Sequence, residues 1–141
     1  MKYDELTEMM GVDANIDPSN LLSEALRTIS ITNKWLGFLD NEKLVLEKRD
    51  SDLAALESDL FDYYSGRENP NNTEDPYGYN LAKTEIPKYI QGNPKYISLR
   101  NIRYTQEIKV KRIEAFIKAL QSRSHLIHEA VELMKFYQGG K

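Results

Sequence analysis

Tyrosine and basic residues alternate between positions 77 and 104 of this chain. Single-stranded nucleic acid is bound by cations that neutralise its phosphates and by flat rings on which unstacked bases lie. Each stacked base contributes about 1–3 kcal/mol. The pattern therefore indicates a surface for single-stranded nucleic acid; the alternative is that the tyrosines pack a loop against helices. The residues are Tyr77, Tyr79, Lys83, Lys88, Tyr89, Lys95, Tyr96, Arg100, Arg103 and Tyr104.

Catalytic and metal chemistry has no comparable signal. The chain contains no cysteine, which excludes disulfides, thiol nucleophiles and zinc ribbons. No Gly-x-x-x-x-Gly-Lys-Ser/Thr segment is present to hold a phosphate. His125 and His128 share a helix face without a third ligand pattern, so a surface or interface role is favoured over a metal. We expect no catalytic residue, no metal and no cofactor.

Charge is distributed unevenly along the chain. Residues 1–79 carry seven basic and 17 acidic residues, a balance of −10, whereas residues 80–125 have a balance of +7. The whole chain has a net charge of −3. A basic segment of this kind favours a polyanion as partner. The alternative is that the two parts attract each other within the fold or between subunits.

Size and hydropathy predict one soluble domain. The 141 residues are 40% hydrophobic and 29% charged, and no run approaches the roughly 18 apolar residues that span a bilayer. The acidic start, residues 1–5, lacks the apolar stretch of a signal peptide. We therefore expect a cytosolic protein without membrane contact.

Two long helices should position the basic and aromatic residues. A short helix from Tyr3 to Met10 should end at Gly11, and Asp17 with Pro18 should begin the next. Residues 20–64 contain no proline and place leucines every seven residues, which predicts a long helix with a seam for another helix. The pair Asp40-Asn41 is a candidate interruption. The leucines are Leu39, Leu46, Leu53 and Leu60.

The middle of the chain should be irregular. Residues 65–79 are rich in Gly, Pro and Asn, which predicts an exposed, mobile loop. Pro-Lys-Tyr-Ile then occurs twice, at residues 87–90 and 94–97, and predicts short turns or extended pieces. Residues 98–137 again favour a long helix, which Gly139-Gly140 should end. The fold class is all-α, a helical hairpin with a flexible central loop.

More apolar residues are present than one helical hairpin can bury, so we expect a homo-oligomer. The interface is predicted on the C-terminal helix. Its residues are Ile113, Ile117, Leu120, Ile127, Val131 and Met134.

A family resemblance rests on four short segments. They are Asp-Tyr-Tyr-Ser-Gly-Arg at residues 62–67, Lys-Trp-Leu at 34–36, Ser-Arg at 122–123 and Gly-Lys at 140–141. Together with the length, they make the chain resemble the UvsY recombination mediators of T-even-like bacteriophages. The resemblance covers the whole chain and implies one domain, with an acidic helical part at 1–64, a loop segment at 65–97 and a basic helical part at 98–138.

The resemblance implies a non-enzymatic protein of phage homologous recombination, repair and replication. Members of this family bind single-stranded DNA, help displace the single-strand-binding protein and load a UvsX/RecA-like recombinase. They work as cyclic homo-oligomers, hexamers or heptamers, assembled largely through the C-terminal region. The implied location is the cytoplasm of the infected bacterial host.

Only some DNA contacts can be carried over from the family. Arg67 matches residue for residue, but Ser58 and Leu60 replace the family's basic pair ahead of the Tyr-Tyr segment. The later basic cluster is the candidate to compensate. The competing interpretation is a scaffold oligomer whose basic half docks protein rather than DNA. The predicted DNA-binding residues are Arg67, Lys83, Lys88, Tyr89, Lys95, Tyr96, Arg100, Arg103, Lys111 and Arg112.

Overall fold

The computed structural model describes residues 1–72, 77 and 81–139, and these residues form four helices without a strand. The helices are α1 (Tyr3–Ala14), α2 (Leu21–Ser65), α3 (Ile86–Gly92) and α4 (Pro94–Gly139). The all-α prediction is confirmed. None of the helices in these ranges is long and apolar enough to cross a membrane.

The first long helix is continuous, but it begins later than the sequence suggested. Asp40-Asn41 does not interrupt α2. Asp17 does not cap it either, because its carboxylate instead accepts hydrogen bonds from the backbone N–H and the hydroxyl of Ser19, at 2.9 and 2.6 Å. Asn20 takes the capping position, where its Oδ1 accepts a hydrogen bond of 3.3 Å from the Ser23 N–H.

Two other predicted boundaries are wrong. α1 does not end at Gly11 but continues to Ala14. The Pro-Lys-Tyr-Ile repeats are not turns or extended pieces; they mark two helix starts. Pro87 lies in the first turn of α3, and Pro94 is the first residue of α4. A proline in the first turn loses no hydrogen bond, because the N–H groups there have no partner within the helix.

The contacts group the chain into two compact units. The first contains residues 1–42 and 109–141, and the second contains residues 43–108. In the first unit Trp35 is fully buried, with the rings of Phe38 and Phe116 edge-on at centroid distances of 5.2 and 4.9 Å. The core of this unit also contains Leu6, Met10, Ile31, Leu39, Val110, Ile113, Ile117, Leu120 and Ile127.

The second unit has its own smaller core. Four buried residues define it: Leu60, Tyr64, Ile86 and Ile90. Partly buried side chains from the end of α2, from the segment between α2 and α3 and from the start of α4 pack against them. These are Leu56, Phe61, Tyr63, Tyr77, Leu81 and Tyr96.

Candidate nucleic-acid interface

The segment Asp-Tyr-Tyr-Ser-Gly-Arg forms the C-terminal cap of α2. The Arg67 N–H donates to the Asp62 carbonyl at 2.8 Å, and the Gly66 N–H donates to the Tyr63 carbonyl at 3.2 Å. Gly66 has φ of +78°. These two bonds around a left-handed glycine are the Schellman arrangement that ends helices. The segment therefore sets the point at which the chain leaves α2.

The beginning of the predicted mobile loop, residues 65–79, is attached to the last turns of α2. Asn69 donates through Nδ2 to carboxylate oxygens of Asp59 and Asp62, at 2.9 and 2.8 Å. The Asn72 side chain donates to the Asp59 carbonyl at 3.0 Å. The asparagines that suggested a loop thus fasten residues 69–72 to the helix. Residues 73–76 and 78–79 of this segment, including Tyr79, lie outside the described residues.

Four tyrosines make contact around the end of α2. The ring of Tyr64 lies 5.0 Å from that of Tyr63, 5.3 Å from that of Tyr77 and 5.8 Å from that of Tyr89. Tyr64 is buried, whereas Tyr89 is 41% exposed. The packing interpretation therefore holds for Tyr77 and Tyr96, which pack against the core that contains Tyr64. Tyr89 keeps exposed surface on which a base could stack.

Two open clefts flank this tyrosine cluster within the second unit. One, of about 450 Å³, is lined by Tyr64, Glu85, Lys88, Tyr89, Gly92, Asn93 and Pro94. The other, of about 340 Å³, includes Tyr63, Asn93, Pro94 and Lys95 in its lining. Each cleft thus combines a lysine predicted to bind DNA with a tyrosine in its lining. These are Lys88 with Tyr89 in the first cleft and Lys95 with Tyr63 in the second.

Five predicted cations of the second unit are exposed and make no ion pair with a carboxylate of the described residues. Arg67 lies over the ring of Phe61, with its guanidinium carbon 6.0 Å from the ring centroid. Arg67, Lys83 and Arg100 line neither cleft. Cations that have no carboxylate partner among the described residues can bind phosphate without first breaking such an ion pair. The five are Arg67, Lys83, Lys88, Lys95 and Arg100.

Arg103 is arranged differently from these five. Its guanidinium donates to the carboxylate of Asp50 and, at 2.8 Å, to that of Glu107. The hydrogen bond to Asp50 raises the pKa of Arg103 above its usual value. A phosphate would have to compete with two carboxylates for this side chain.

The remaining predicted DNA-binding residues are more dispersed. Tyr96 is half-buried and packs against the core of the second unit. Lys111 and Arg112 are exposed on the part of α4 that belongs to the first unit. The structure therefore brings together only part of the predicted set, around Lys88, Tyr89 and Lys95.

Comparison with known protein families identifies the family of this chain. Residues 9–140 match the family described as "Recombination, repair and ssDNA binding protein UvsY". The chain belongs to the UvsY family. None of the curated proteins compared with the chain matches it.

The fold is that of solved structures of the recombination mediator protein UvsY of bacteriophage T4. One crystal form superposes with a TM-score of 0.88, at 20% identity, with 98% of each chain covered. Another gives a TM-score of 0.86, also at 20% identity, covering 96% of this chain and 99% of the T4 chain. A third gives 0.84 at 20% identity and covers 94% and 98%.

Two segments of the family resemblance, Lys-Trp-Leu and Ser-Arg, contact Asp13 near the end of α1, where the sequence pattern showed no site. Asp13 accepts hydrogen bonds from Trp35 Nε1 at 2.8 Å and from Lys34 Nζ at 2.6 Å. Arg123 donates to the Asp13 carbonyl at 2.7 Å and to the Glu24 carboxylate at 3.0 Å. These Lys-Trp and Ser-Arg segments therefore hold the helices of the first unit. The fourth segment of the resemblance, Gly140-Lys141, lies outside the described residues.

Burial and hydrogen bonding act in opposite directions on Asp13. Burial raises its pKa, but the hydrogen bonds from Lys34 and Trp35 outweigh that effect and hold the pKa below its usual value. Arg123 is also buried, and burial lowers its pKa despite the nearby Glu24 carboxylate. The Asp13 carboxylate and the Arg123 guanidinium are both engaged in hydrogen bonds within the first unit.

Four of the six residues predicted for a subunit interface are buried within the single chain. Ile113, Ile117, Leu120 and Ile127 are at most 5% exposed within the single chain. Helical periodicity identified the apolar face correctly, but that face is covered by the chain's own helices. Of the other two, Val131 is half-buried and Met134 is 48% exposed, so both keep surface that another chain could cover.

The C-terminal part of α4 also carries exposed apolar residues that are not among the six predicted for the interface. Leu126, Leu133 and Tyr137 are 62%, 55% and 76% exposed and recur on one helix face. Phe136, beside them, is 68% exposed. Large exposed apolar side chains at helical spacing are typical of a surface that another chain covers.

Proposed function

We propose that this protein is a recombination mediator that binds single-stranded DNA. In this role it helps displace the single-strand-binding protein and loads a UvsX/RecA-like recombinase, in the cytoplasm of an infected bacterial host. The observation that carries the proposal is the UvsY family match over residues 9–140. The five exposed cations of the second unit, which have no carboxylate partner among the described residues, and the exposed Tyr89 support it as a surface that fits the required ligand.

The chemistry of this surface suits a strand of any sequence. Lys88 and Lys95 supply charge for phosphates, and Tyr89 supplies a ring on which any base can stack. If all five unpaired cations contact phosphates, the log–log slope of affinity against salt should approach about −3.5 for one protomer, at about −0.7 per phosphate. Weak separate contacts would let the strand pass from one coating protein to another.

A homo-oligomer, a hexamer or heptamer, would multiply these contacts. Adjacent sites on one ring raise the affinity for a strand without any stronger single contact, because the later contacts become intramolecular. Exposed Leu126, Leu133 and Tyr137 of α4 support such an assembly. An apolar groove of about 440 Å³ in the same unit, lined in part by Ile16, Phe116 and Leu126, is a further surface for a neighbouring copy.

Fluorescence anisotropy with a labelled mixed-sequence single strand tests the proposal. The triple variant Lys83→Ala/Lys88→Ala/Lys95→Ala should weaken binding at least tenfold at low salt and flatten the salt slope by about 2. The matched control, Lys48→Ala/Lys118→Ala/Lys135→Ala, removes the same charge from exposed positions elsewhere. Its effect should be several-fold smaller.

The outcomes separate DNA binding from a scaffold role. If the parent protein fails to bind single strands at low salt, the mediator proposal is wrong and docking of the basic half onto protein is favoured. Equal losses in the two triple variants would mean that net charge, rather than this surface, governs binding. Recombinase loading is checked by strand exchange on strands already covered by single-strand-binding protein, where the parent protein should shorten the lag.

A further inference from the structure

The cleft beside Tyr89 contains an acidic residue that charge neutralisation of DNA does not explain. Glu85 lines this cleft together with Lys88, Tyr89 and Asn93. A carboxylate next to bound DNA repels phosphate. If the cleft bound only the phosphate backbone of DNA, Glu85 would therefore lower its affinity.

The Glu85 carboxylate is also unused by the fold. Glu85 is exposed at the start of α3, and its side chain caps no backbone N–H of that helix. It makes no ion pair with a cation in the described part of the chain. Lys88, three residues later on the same helix, is likewise unpaired. Both charges thus remain available to a ligand in the cleft.

The composition of the cleft fits one nucleobase with its phosphate. The exposed ring of Tyr89 offers a stacking face, and Lys88 offers a cation for the neighbouring phosphate. An ionised carboxylate only accepts hydrogen bonds, so it selects base edges that donate. A volume of about 450 Å³ is within the range of small-ligand sites.

The four bases differ in what they offer a carboxylate. Guanine presents two adjacent donors, N1–H and the 2-amino group, which match both carboxylate oxygens. Cytosine and adenine present one amino group beside an acceptor. Thymine presents one N–H between two carbonyl oxygens, which repel the carboxylate.

We infer that this cleft is a base-selective subsite in which Glu85 favours guanine and disfavours thymine. The inference rests on the proposed binding of single-stranded DNA and adds a preference to it. The lysines and arginines bind every sequence, and Glu85 superimposes a bias of up to about tenfold at one nucleotide per protomer.

The test uses three labelled strands of equal length. The first contains only thymidine, the second carries isolated deoxyguanosines among thymidines, and the third carries deoxyinosine at the same positions. Inosine keeps N1–H but lacks the 2-amino group, so it removes one of the two donors. Isolated guanines also avoid quadruplexes. The parent protein should bind the guanine strand about threefold more tightly than the inosine strand and about tenfold more tightly than the thymidine strand.

Two variants assign this preference to the carboxylate. Glu85→Gln keeps the side-chain shape and removes the charge, so it should bind all three strands within about twofold of one another. Glu57→Gln is the matched control, because Glu57 is exposed in the same unit, lines neither cleft and carries the same charge. It should raise affinity slightly on every strand and leave the ratios as in the parent.

The results distinguish this inference from the proposed function. Equal binding of the three strands by the parent, or unchanged ratios in Glu85→Gln, overturns the base-selective subsite while DNA binding itself stands. Unchanged ratios together with lost recombinase stimulation in Glu85→Gln would assign the carboxylate to a basic protein partner, which also overturns it. Absence of binding to all three strands would refute the proposed function as well.

Discussion

Asn93 connects the tyrosine cluster to the first turn of α4. Its side-chain Nδ2 donates a hydrogen bond of 3.0 Å to the hydroxyl of Tyr64, while its Oδ1 accepts one of 2.9 Å from the Lys95 N–H. One amide group therefore holds the buried tyrosine and caps the helix that carries Lys95. Both clefts share Asn93 in their linings, so their geometry depends on the same two bonds.

This arrangement predicts unequal and non-additive losses of stability. Tyr64→Phe removes one hydrogen bond and should cost about 1 kcal/mol of unfolding free energy. Asn93→Ala removes that bond and the cap, and should cost about 2 kcal/mol. The double variant should have an unfolding free energy within about 0.5 kcal/mol of that of Asn93→Ala alone, because the shared bond is lost only once. Urea unfolding at fixed protein concentration measures all three, and strictly additive losses would contradict the coupling.

Two glycines should respond to alanine with opposite signs. Gly66 has φ of +78°, and the nearest atom to an added Cβ, the Tyr77 carbonyl oxygen, lies 4.0 Å away. Gly66→Ala therefore creates no clash but should cost about 1 kcal/mol, because alanine disfavours this conformation. Gly37 lies inside α2 with open space around it. Gly37→Ala should stabilise by about 0.5–1 kcal/mol, and thermal unfolding of both variants checks the contrast.

The long helices could be predicted from sequence because their signal is local. The absence of proline and the leucine repeat predicted a helix over 20–64, and α2 spans Leu21–Ser65. The starts were harder to predict, because a proline is compatible with both a turn and a first helical turn. Pro18 precedes α2, whereas Pro94 begins α4. Only the neighbouring hydrogen bonds decide between these cases.

For the candidate site, the sequence predicted which residue types take part but not which of them lie together. Lys88 and Tyr89 share a cleft as their spacing suggested. Arg103 belongs to the same basic segment, yet it is paired with Asp50, 53 positions earlier in the chain. Similarly, periodicity identified Ile113 and Ile117 as an apolar face without saying whether the same chain or a neighbour covers it. Long-range partners of this kind have no local signature.

The depressed pKa of Asp13 predicts a loss of stability in acid. A carboxyl whose pKa is lower in the folded state than in the unfolded state stabilises the fold above the unfolded value, and this contribution is lost as the pH falls through the folded value. The unfolded pKa of an aspartate is about 3.9. Asp13 should therefore stabilise the protein fully near neutral pH and progressively less below about pH 4.

Asp13→Asn isolates this contribution. Asparagine keeps an oxygen that can accept the Trp35 N–H but removes the charge that pairs with Lys34. Its cost should be about 1–2 kcal/mol at about pH 7, and the difference from the parent should shrink at about pH 3. Asp40→Asn, at an exposed position of α2, is the control and should show little difference at either pH. A constant difference for Asp13→Asn across this range would contradict the ionic origin.

Salt titrations should distinguish the contributions of charge and of base stacking to DNA affinity on the proposed surface. Lys88→Ala/Lys95→Ala should weaken binding on mixed and homopolymer strands alike and reduce the log–log salt slope by about 1.4, at about 0.7 per lost phosphate contact. Tyr89→Leu should weaken binding by about fivefold with the slope unchanged, because stacking releases no counterions. Tyr96 is unsuitable for this comparison, since it packs against the core. Parent-like binding by both variants would place the DNA elsewhere.

Exposed residues near the end of α4 provide the test of self-assembly. Ile127 is unsuitable for it, because a buried aspartate there would unfold the first unit regardless of any interface. Leu133 and Tyr137 are 55% and 76% exposed in the single chain, so aspartate at both positions should leave the helical circular dichroism signal unchanged. If another copy covers them, Leu133→Asp/Tyr137→Asp should sediment as smaller species than the parent, because charge in an apolar contact is strongly unfavourable.

A matched control distinguishes the loss of an interface from a general effect of added negative charge. His128 is exposed in the same part of α4 but lies two residues from Leu126, on the opposite face. His128→Asp should therefore sediment like the parent. The dissociated double variant should also bind long single strands at least tenfold more weakly while keeping its affinity for a strand that spans one protomer, because only the multivalent contribution is lost. An unchanged mass for Leu133→Asp/Tyr137→Asp would show that these residues do not hold subunits together.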